Sequence, residues 1–252
     1  MAFGVVVLLI VLGAAAEWAR LIDIGRTGRM LFVAAVLITG AVSLWIGAHG
    51  GFPGVVVVAC GAATLFWVGI GVPSVLNDWQ PASPVVRAVS GWLVLEGAFV
   101  AIVALHARSA WLALAAMAIV WIADTAAYFA GRRFGRRKLA PAISPGKTWE
   151  GAYGALLAVV VYALLLLPLA QRTGFAHASG VAFVASSLVF AVAVAALSIA
   201  GDLFESLLKR RAGVKDSGAI LPGHGGILDR IDALLAAMPP VALAAAVLFG
   251  MP

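Results

Sequence analysis

Charge is what this sequence has least of. Asp, Glu, Lys and Arg together make up 11% of its 252 residues, against about 25% in soluble domains, while hydrophobic residues make up 63% and mean hydropathy is +1.08. That balance excludes a soluble globular fold and indicates an integral membrane protein. Cysteine is nearly missing: Cys60 stands alone inside an apolar run. No intramolecular disulfide can form, and a cysteine-based metal site lacks its ligands. The N-terminus has neither the basic region nor the cleavage pattern of a signal peptide, because residues 1–16 run directly into Glu17-Trp18-Ala19-Arg20. The first apolar run is therefore expected to stay in the membrane. A broad polar face is absent as well. The net charge of +6 and pI near 10.1 belong to a chain with too few charges to lie along a duplex, which argues against nucleic acid as a partner. Its basic residues serve topology or a local anionic ligand.

What the chain does have is a series of apolar runs. Crossing the hydrocarbon core as a helix takes roughly 20 mainly apolar residues. Eight runs meet that need, near 1–16, 30–48, 54–73, 88–105, 109–130, 151–171, 180–201 and 233–250, the first being the shortest. They are apolar on every side and lack the alternation of a membrane barrel, so no strand is expected. The fold class read from this pattern is an all-α integral membrane protein, a polytopic helical bundle with about eight transmembrane helices. No internal repeat or linker divides it. Residues 1–252 read as a single membrane domain.

Basic residues collect on the cytoplasmic side of membrane spans. Arg20, Arg26, Arg29, Arg87, Arg132, Arg133, Arg136, Arg137, Lys138, Lys147, Lys209, Arg210, Arg211, Lys215 and Arg230 all fall on odd-numbered loops or their flanks, and only Arg108 and Arg172 on the other face. Odd loops are thus expected in the cytoplasm and both termini outside. An outside N-terminus on a short first span with no flanking charge is awkward to insert, which suggests that an additional first span is missing from this sequence.

The longest polar stretches, 131–150 and 206–232, share the expected cytoplasmic face. In and beside the second, Asp202 and Glu205 are spaced i, i+3, as are Asp229 and Asp232, so each pair can lie along one helix face. With Asp216 they are five of the chain's eleven acids, interleaved with Lys209, Arg210, Arg211, Lys215 and Arg230. Carboxylates beside cations at a membrane surface suit a divalent ion with phosphates bound to it. Gly223, Gly225 and Gly226 flank His224 and allow backbone N–H groups to approach an anion closely. Ordinary interfacial salt bridges explain each residue singly but not the assembly. In the first loop, Gly146-Lys147-Thr148 invites a P-loop reading, which fails because that motif needs a glycine where Pro141 stands and a strand before it. Ser144, Lys147 and Thr148 remain candidates for phosphate contacts, whereas Arg132 to Lys138 read as a topological anchor. Asp124, an acid within the end of a span, is a functional candidate by default. Glu96, buried within span four, reads as a structural hydrogen bond between helices, and Pro239-Pro240 as a packing kink.

Ser206, Lys209-Arg210, Lys215-Asp216, Gly218, Leu221-Pro222, His224-Gly225-Gly226 and Asp229-Arg230-Ile231-Asp232, at these spacings, resemble the signature of the phosphatidate cytidylyltransferase (CDP-diacylglycerol synthase) family. Asp124-Thr125 with Ala127-Tyr128, and Ser144-Pro145-Gly146-Lys147-Thr148-Trp149, are similar to that family's second patterned region, with Ala126 where a glycine is common. The resemblance runs from about residue 120 to 235, which it implies is the catalytic region, with 1–119 mainly scaffold spans. Earlier it is carried only by Glu17-Trp18-Ala19-Arg20, which resembles the sequence after the family's second hydrophobic segment.

The resemblance implies transfer of CMP from CTP to phosphatidate, giving CDP-diacylglycerol and pyrophosphate for phospholipid biosynthesis, in a multi-pass protein of the inner (cytoplasmic) membrane with its active site facing the cytoplasm. It further implies a divalent metal, usually magnesium, with a second cation possible, and a homodimer. A phosphate monoester nucleophile needs no strong general base, only in-line positioning and charge neutralisation. Magnesium takes one or two carboxylates and keeps several waters. The expected ligands are Asp202 and Asp229, which end span seven and begin span eight. Asp216 and Asp232 are expected as further ligands or as orienters of Lys215 and Arg230. Lys209, Lys215 and His224 complete the catalytic set; Asp124, Ser144, Lys147, Thr148, Ser206, Arg210, Gly225, Gly226 and Arg230 are expected to bind substrate. A CTP-dependent lipid kinase would need a base to activate a hydroxyl. An anion transporter fits poorly, because the charges gather at one face and no inverted repeat is present.

Overall fold

The computed structural model describes residues 1–172, 180–218 and 225–249. Eight helices in it are long and apolar enough to cross a membrane: α1 (Ala2–Leu21), α2 (Gly25–Ala48), α3 (Phe52–Leu76), α4 (Pro84–Arg108), α5 (Ala110–Phe134), α6 (Trp149–Arg172), α7 (Val181–Arg211) and α8 (Leu228–Phe249). The protein is a multi-pass helical bundle, as the apolar runs require. Chain direction alternates, so the ends of α1, α3, α5 and α7 and the starts of α2, α4, α6 and α8 share one face, hereafter the basic face.

Two expectations are corrected. The polar stretch 206–232 is not all loop, because α7 continues to Arg211 and α8 begins at Leu228. Charged residues end an apolar window without ending a helix: Leu, Lys, Arg and Glu all have good helix propensity, and the termini here project beyond the hydrocarbon. The chain also contains strands. Within 131–150, β1 (Lys138–Ala140) pairs antiparallel with β2 (Ser144–Thr148), Lys138 opposite Thr148 and Ala140 opposite Ser144. Ile143 under this hairpin packs on Leu203 and Leu207 of α7, tying it to the bundle.

One core, built from large side chains such as Trp18, Trp67, Phe99, Leu95 and Leu105, joins α1, α3, α4 and α8. A second, of Ala123, Ala155, Val159, Ala163, Ala191 and Ala195, joins α5, α6 and α7. The prolines in α8 do not break it. Pro239 has no N–H to give the carbonyl of Leu235 four residues back; the indole Nε1 of buried Trp67 donates to that oxygen instead, at 2.9 Å. Trp67 sits in a π-helical turn, Trp67–Gly71, one residue before Val72-Pro73, where α3 must also manage a missing N–H. Glu96 behaves as expected, accepting from Ser43 Oγ at 2.8 Å and Thr39 Oγ1 at 3.1 Å, which joins α4 to α2.

Candidate active site

On the basic face, where α5, α6, α7 and α8 converge under the hairpin, lies a cavity of about 710 Å³. Its polar wall is Asp124, Tyr128, Arg132, Lys147, Thr148, Asp202, Lys209, Asp229, Arg230 and Asp232; Ala127, Leu139, Ala152 and Ile199 give it an apolar side. Close helix approach makes the arrangement possible. A Cβ on Gly201 would fall 2.8 Å from the Asp232 carbonyl oxygen and 2.8 Å from the Ala236 methyl, so α7 presses onto α8 beside the very residues whose carboxylates line the cavity.

Two charge clusters result. In the first, Lys147, carried by β2, pairs with Asp202 of α7, Nζ to Oδ2 at 2.6 Å. Asp124 of α5 and Asp232 of α8 each interact electrostatically with this Asp202–Lys147 pair. Three carboxylates thus gather around Lys147, and Asp232 feels Lys209 as well. In the second, Lys209 lies between Glu205 and Asp229, 2.5 Å from each, all three largely withdrawn from solvent. Asp229 is held from its other side as well: its Oδ2 accepts from the Ser217 N–H and hydroxyl, both at 3.0 Å, and from the Gly226 N–H at 2.8 Å. A carboxylate with this many donors is a fixed acceptor that orients Lys209.

The structure brings together eight of the residues singled out in the sequence: Asp124, Lys147, Thr148, Asp202, Lys209, Asp229, Arg230 and Asp232 all line the cavity. Others stand aside. Ser206 donates toward Asp202 Oδ1 at 3.5 Å and is buried behind it. Arg210 uses its guanidinium on the carbonyls of Ile143 and Val214, tethering hairpin and loop. Lys215 and Asp216 are exposed beside the cavity rather than in it, and Ser144 opens β2 without lining the wall. Gly225 and Gly226 pack against Asp229; Gly225 has φ of +82°, a conformation that suits glycine. His224, with Leu221-Pro222-Gly223, lies outside the described residues. Of the expected metal pair, Asp202 is engaged by Lys147 and lies near Asp232 and Asp124, while Asp229 is engaged by Lys209, Ser217 and Gly226.

Thr148 has a local duty in addition. Its hydroxyl accepts from the Gly151 N–H at 3.2 Å, capping α6. Four contributors were not among the expected site residues. Tyr128 and Arg132, one helical turn apart on α5 and hydrogen-bonded at 3.2 Å, both line the cavity; their i, i+4 spacing with Asp124 was the available signal. Glu205 is 2% exposed and completes the grip on Lys209. Glu17, far away in sequence, is fully buried against the segment that precedes α8.

The chain is similar to known proteins throughout. It is 36% identical over 241 residues to the phosphatidate cytidylyltransferase of Pseudomonas aeruginosa, a match covering 88% of this chain and 80% of that protein. To the phosphatidate cytidylyltransferase of Haemophilus influenzae it is 49% identical over 121 residues, 48% of this chain and 41% of that protein. To that of Thermotoga maritima it is 45% identical over 127 residues, covering 50% and 46%. In the latter two matches the chain spans less than half the relative's length. The model of the cytidylyltransferase family matches residues 1–248, nearly the whole sequence, and the chain belongs to that family.

Proposed function

We propose that the protein is a phosphatidate cytidylyltransferase, which transfers CMP from CTP to phosphatidate and releases pyrophosphate. The observation that carries this reading is the cavity itself. Its volume falls in the range of roughly 300–1,000 Å³ usual for small-molecule sites, it opens at the basic end of four spans, and it combines carboxylates with cations and an apolar flank. Such a place suits a reaction whose one substrate is a soluble nucleotide and whose other is a phosphate on a lipid. Family membership supports the same assignment.

A phosphate oxygen of phosphatidate attacks the α-phosphorus of CTP, a new P–O bond forms, and the bond to the bridging oxygen breaks with pyrophosphate leaving. The attacking oxygen is already anionic, so positioning and charge neutralisation carry the catalysis. Lys209, fixed by Glu205 and Asp229, offers a cation of defined position. Lys147, Arg132 and Arg230 surround the same space, and Asp229 keeps Lys209 aimed.

Metal dependence is part of the proposal, with magnesium as the ion and a second cation allowed. Among the described residues no three acidic, His or Cys side chains close into a ready cage. Asp124, Asp202 and Asp232 nonetheless face one cavity, and hard carboxylate oxygens fit an ion that takes one or two of them and retains its waters. Asp202 and Asp232 would hold it. Bound there, the ion would neutralise charge on the α-phosphate and the departing pyrophosphate.

The same proposal puts the protein in the inner membrane with the basic face toward the cytoplasm, supported by the segregation of lysine and arginine. A homodimer is included on the family resemblance alone; light scattering of the purified protein in detergent reads it. Purified protein given labelled CTP and phosphatidate, with and without magnesium, is expected to yield a lipid-linked cytidine nucleotide and pyrophosphate. Release of CDP instead identifies a lipid kinase, and no product under any metal refutes the assignment.

A further inference from the structure

Glu17 is the one carboxylate in α1 and has no exposed surface at all. Its partners lie about two hundred positions away. Oε2 accepts from the Leu228 N–H at 2.8 Å and the Ser217 hydroxyl at 2.8 Å, and Oε1 accepts from the Ile227 N–H at 3.1 Å. Two of these donors belong to the start of α8, whose first-turn N–H groups have no partner within the helix. A negative charge is favoured there by the helix dipole as well. The third donor, Ser217, has one hydroxyl proton for Glu17 and Asp229 to share, and its backbone N–H bonds Asp229, so the two acids hold one serine between them.

The surroundings are cut to fit this carboxylate. A Cβ on Gly218 would collide with Glu17 Oε1, and one on Gly226 would collide with both Glu17 Oε2 and Ser217 Oγ. One turn earlier on α1, a Cβ on Gly13 would meet Ile227 Cδ1 at 2.5 Å, so the same helix face receives both the side chain and the backbone of residue 227. Glu96, the comparable membrane carboxylate, accepts instead from Ser43 and Thr39 of α2.

We propose that Glu17 is a positioning residue for the reaction: it fixes the start of α8 and the chain through Ser217, and so sets where Asp229 and Asp232 stand at the cavity wall. The activity consequence rests on the cytidylyltransferase reading, whereas the conformational consequence does not. Gln is nearly the size of Glu but turns one acceptor into a donor, which opposes N–H and O–H groups aimed at it.

The test uses the full chain in detergent. Trypsin cleavage between residues 211 and 230 is expected to be about tenfold or more faster in Glu17→Gln than in wild type, as loss of a buried acceptor predicts. Turnover is expected to fall with the apparent magnesium requirement raised, while Glu96→Gln matches wild type in both assays. Ser217→Ala is expected to show the same changes more weakly, and the double variant is expected to be less impaired than the product of the single effects, because the two residues share one contact. If Glu17→Gln does not fold, Ser217→Ala carries the test alone. Wild-type cleavage in the variant read overturns the proposal whatever the activity. Faster cleavage with turnover and magnesium requirement unchanged overturns it too, leaving Glu17 a purely structural residue. A wild type that makes no product overturns the assigned reaction instead, with the cleavage result still deciding whether Glu17 fixes α8.

Discussion

In the 18-residue apolar stretch of α1, α4 and α8, 50%, 67% and 56% of the residues are buried; in those of α5, α6 and α7 the figures are 22%, 17% and 22%. The inner helices are packed with tryptophan, phenylalanine and leucine, and the outer ones meet through alanines and valine. Small residues let helix backbones approach closely where there is no water to drive burial. In the outer set Gly131 and Gly151 lie near each other, and a Cβ on Gly154 would collide with the Ala130 methyl. The cavity lies along the seam between the sets. Asp229 and Asp232 come from inner α8; Asp124, Lys147, Asp202 and Lys209 come from the outer helices and their hairpin. A site made this way takes two carboxylates from the inner set and its other charges from the outer set, Asp202 and Lys209 among them standing at the end of α7 where Leu203, Phe204, Leu207 and Leu208 are buried.

Breaking the seam from either side should cost the most. Asp202→Asn and Asp232→Asn are each expected to insert normally and lose activity by at least about a hundredfold. Radiolabel transfer measured across a magnesium titration checks this. The double variant should be little worse than either single one if both acids serve one unit. Lys209→Met comes next, because it strips the shared cation from Glu205 and Asp229. Removing one partner from a buried ion group is expected to cost about 3–5 kcal/mol of stability, read as a lowered melting temperature in detergent, together with nearly all activity.

The comparison between sets is sharpened by two packing changes. Gly154→Leu should separate α5 from α6 at a cost of about 1–3 kcal/mol, and should lower activity because Asp124 and Lys147 move with those helices. Trp67→Phe keeps most of the inner core's volume but leaves the Leu235 carbonyl without a donor, a loss of about 1–3 kcal/mol. If the inner set is the rigid one, Trp67→Phe should lower the melting temperature with the apparent KM for CTP unchanged. The smallest effect is expected from Lys215→Met. An exposed charge beside the cavity is worth less than about 1 kcal/mol, so turnover should change by less than about tenfold. A hundredfold loss there would mean that residues 212–218 move into the cavity during the reaction.

The spans were legible because a helix across hydrocarbon must be apolar along its whole length, and the gathering of the site's charges at one face because Lys and Arg are so unevenly spread. Asp124, Lys147, Asp202, Lys209 and Asp232 were legible for a related reason: an acid or a cation at the end of a span in so apolar a chain needs an explanation. The ends of α7 and α8 were not, since hydropathy reports on lipid contact and says nothing of hydrogen bonding past the membrane surface. The hairpin was hidden because three- and five-residue strands, one with Pro145, carry no alternation. The donor that meets the carbonyl left free by Pro239 was not legible, because Trp67 is supplied from 172 positions earlier in the chain. Thr148 read as a phosphate contact because Gly-Lys-Thr invites it, and no local signal marked its second role as a cap. Glu17 was quoted only as part of a short resemblance; nothing within α1 indicates which distant N–H groups its carboxylate meets.

The indole bond to Leu235 has a mechanical meaning beyond repairing a carbonyl. Helix α8 is held at Leu228 by Glu17 and at Leu235 by Trp67, two points about 10 Å apart along the axis at 1.5 Å per residue. Asp229 and Asp232 lie between them. On a beam supported at both ends, any play at one support is diluted at intermediate positions. On a beam supported at one end it is magnified with distance. The two carboxylates therefore inherit less positional error than either anchor has, although the same helix runs on past two prolines into a far end where Val247 and Leu248 face outward.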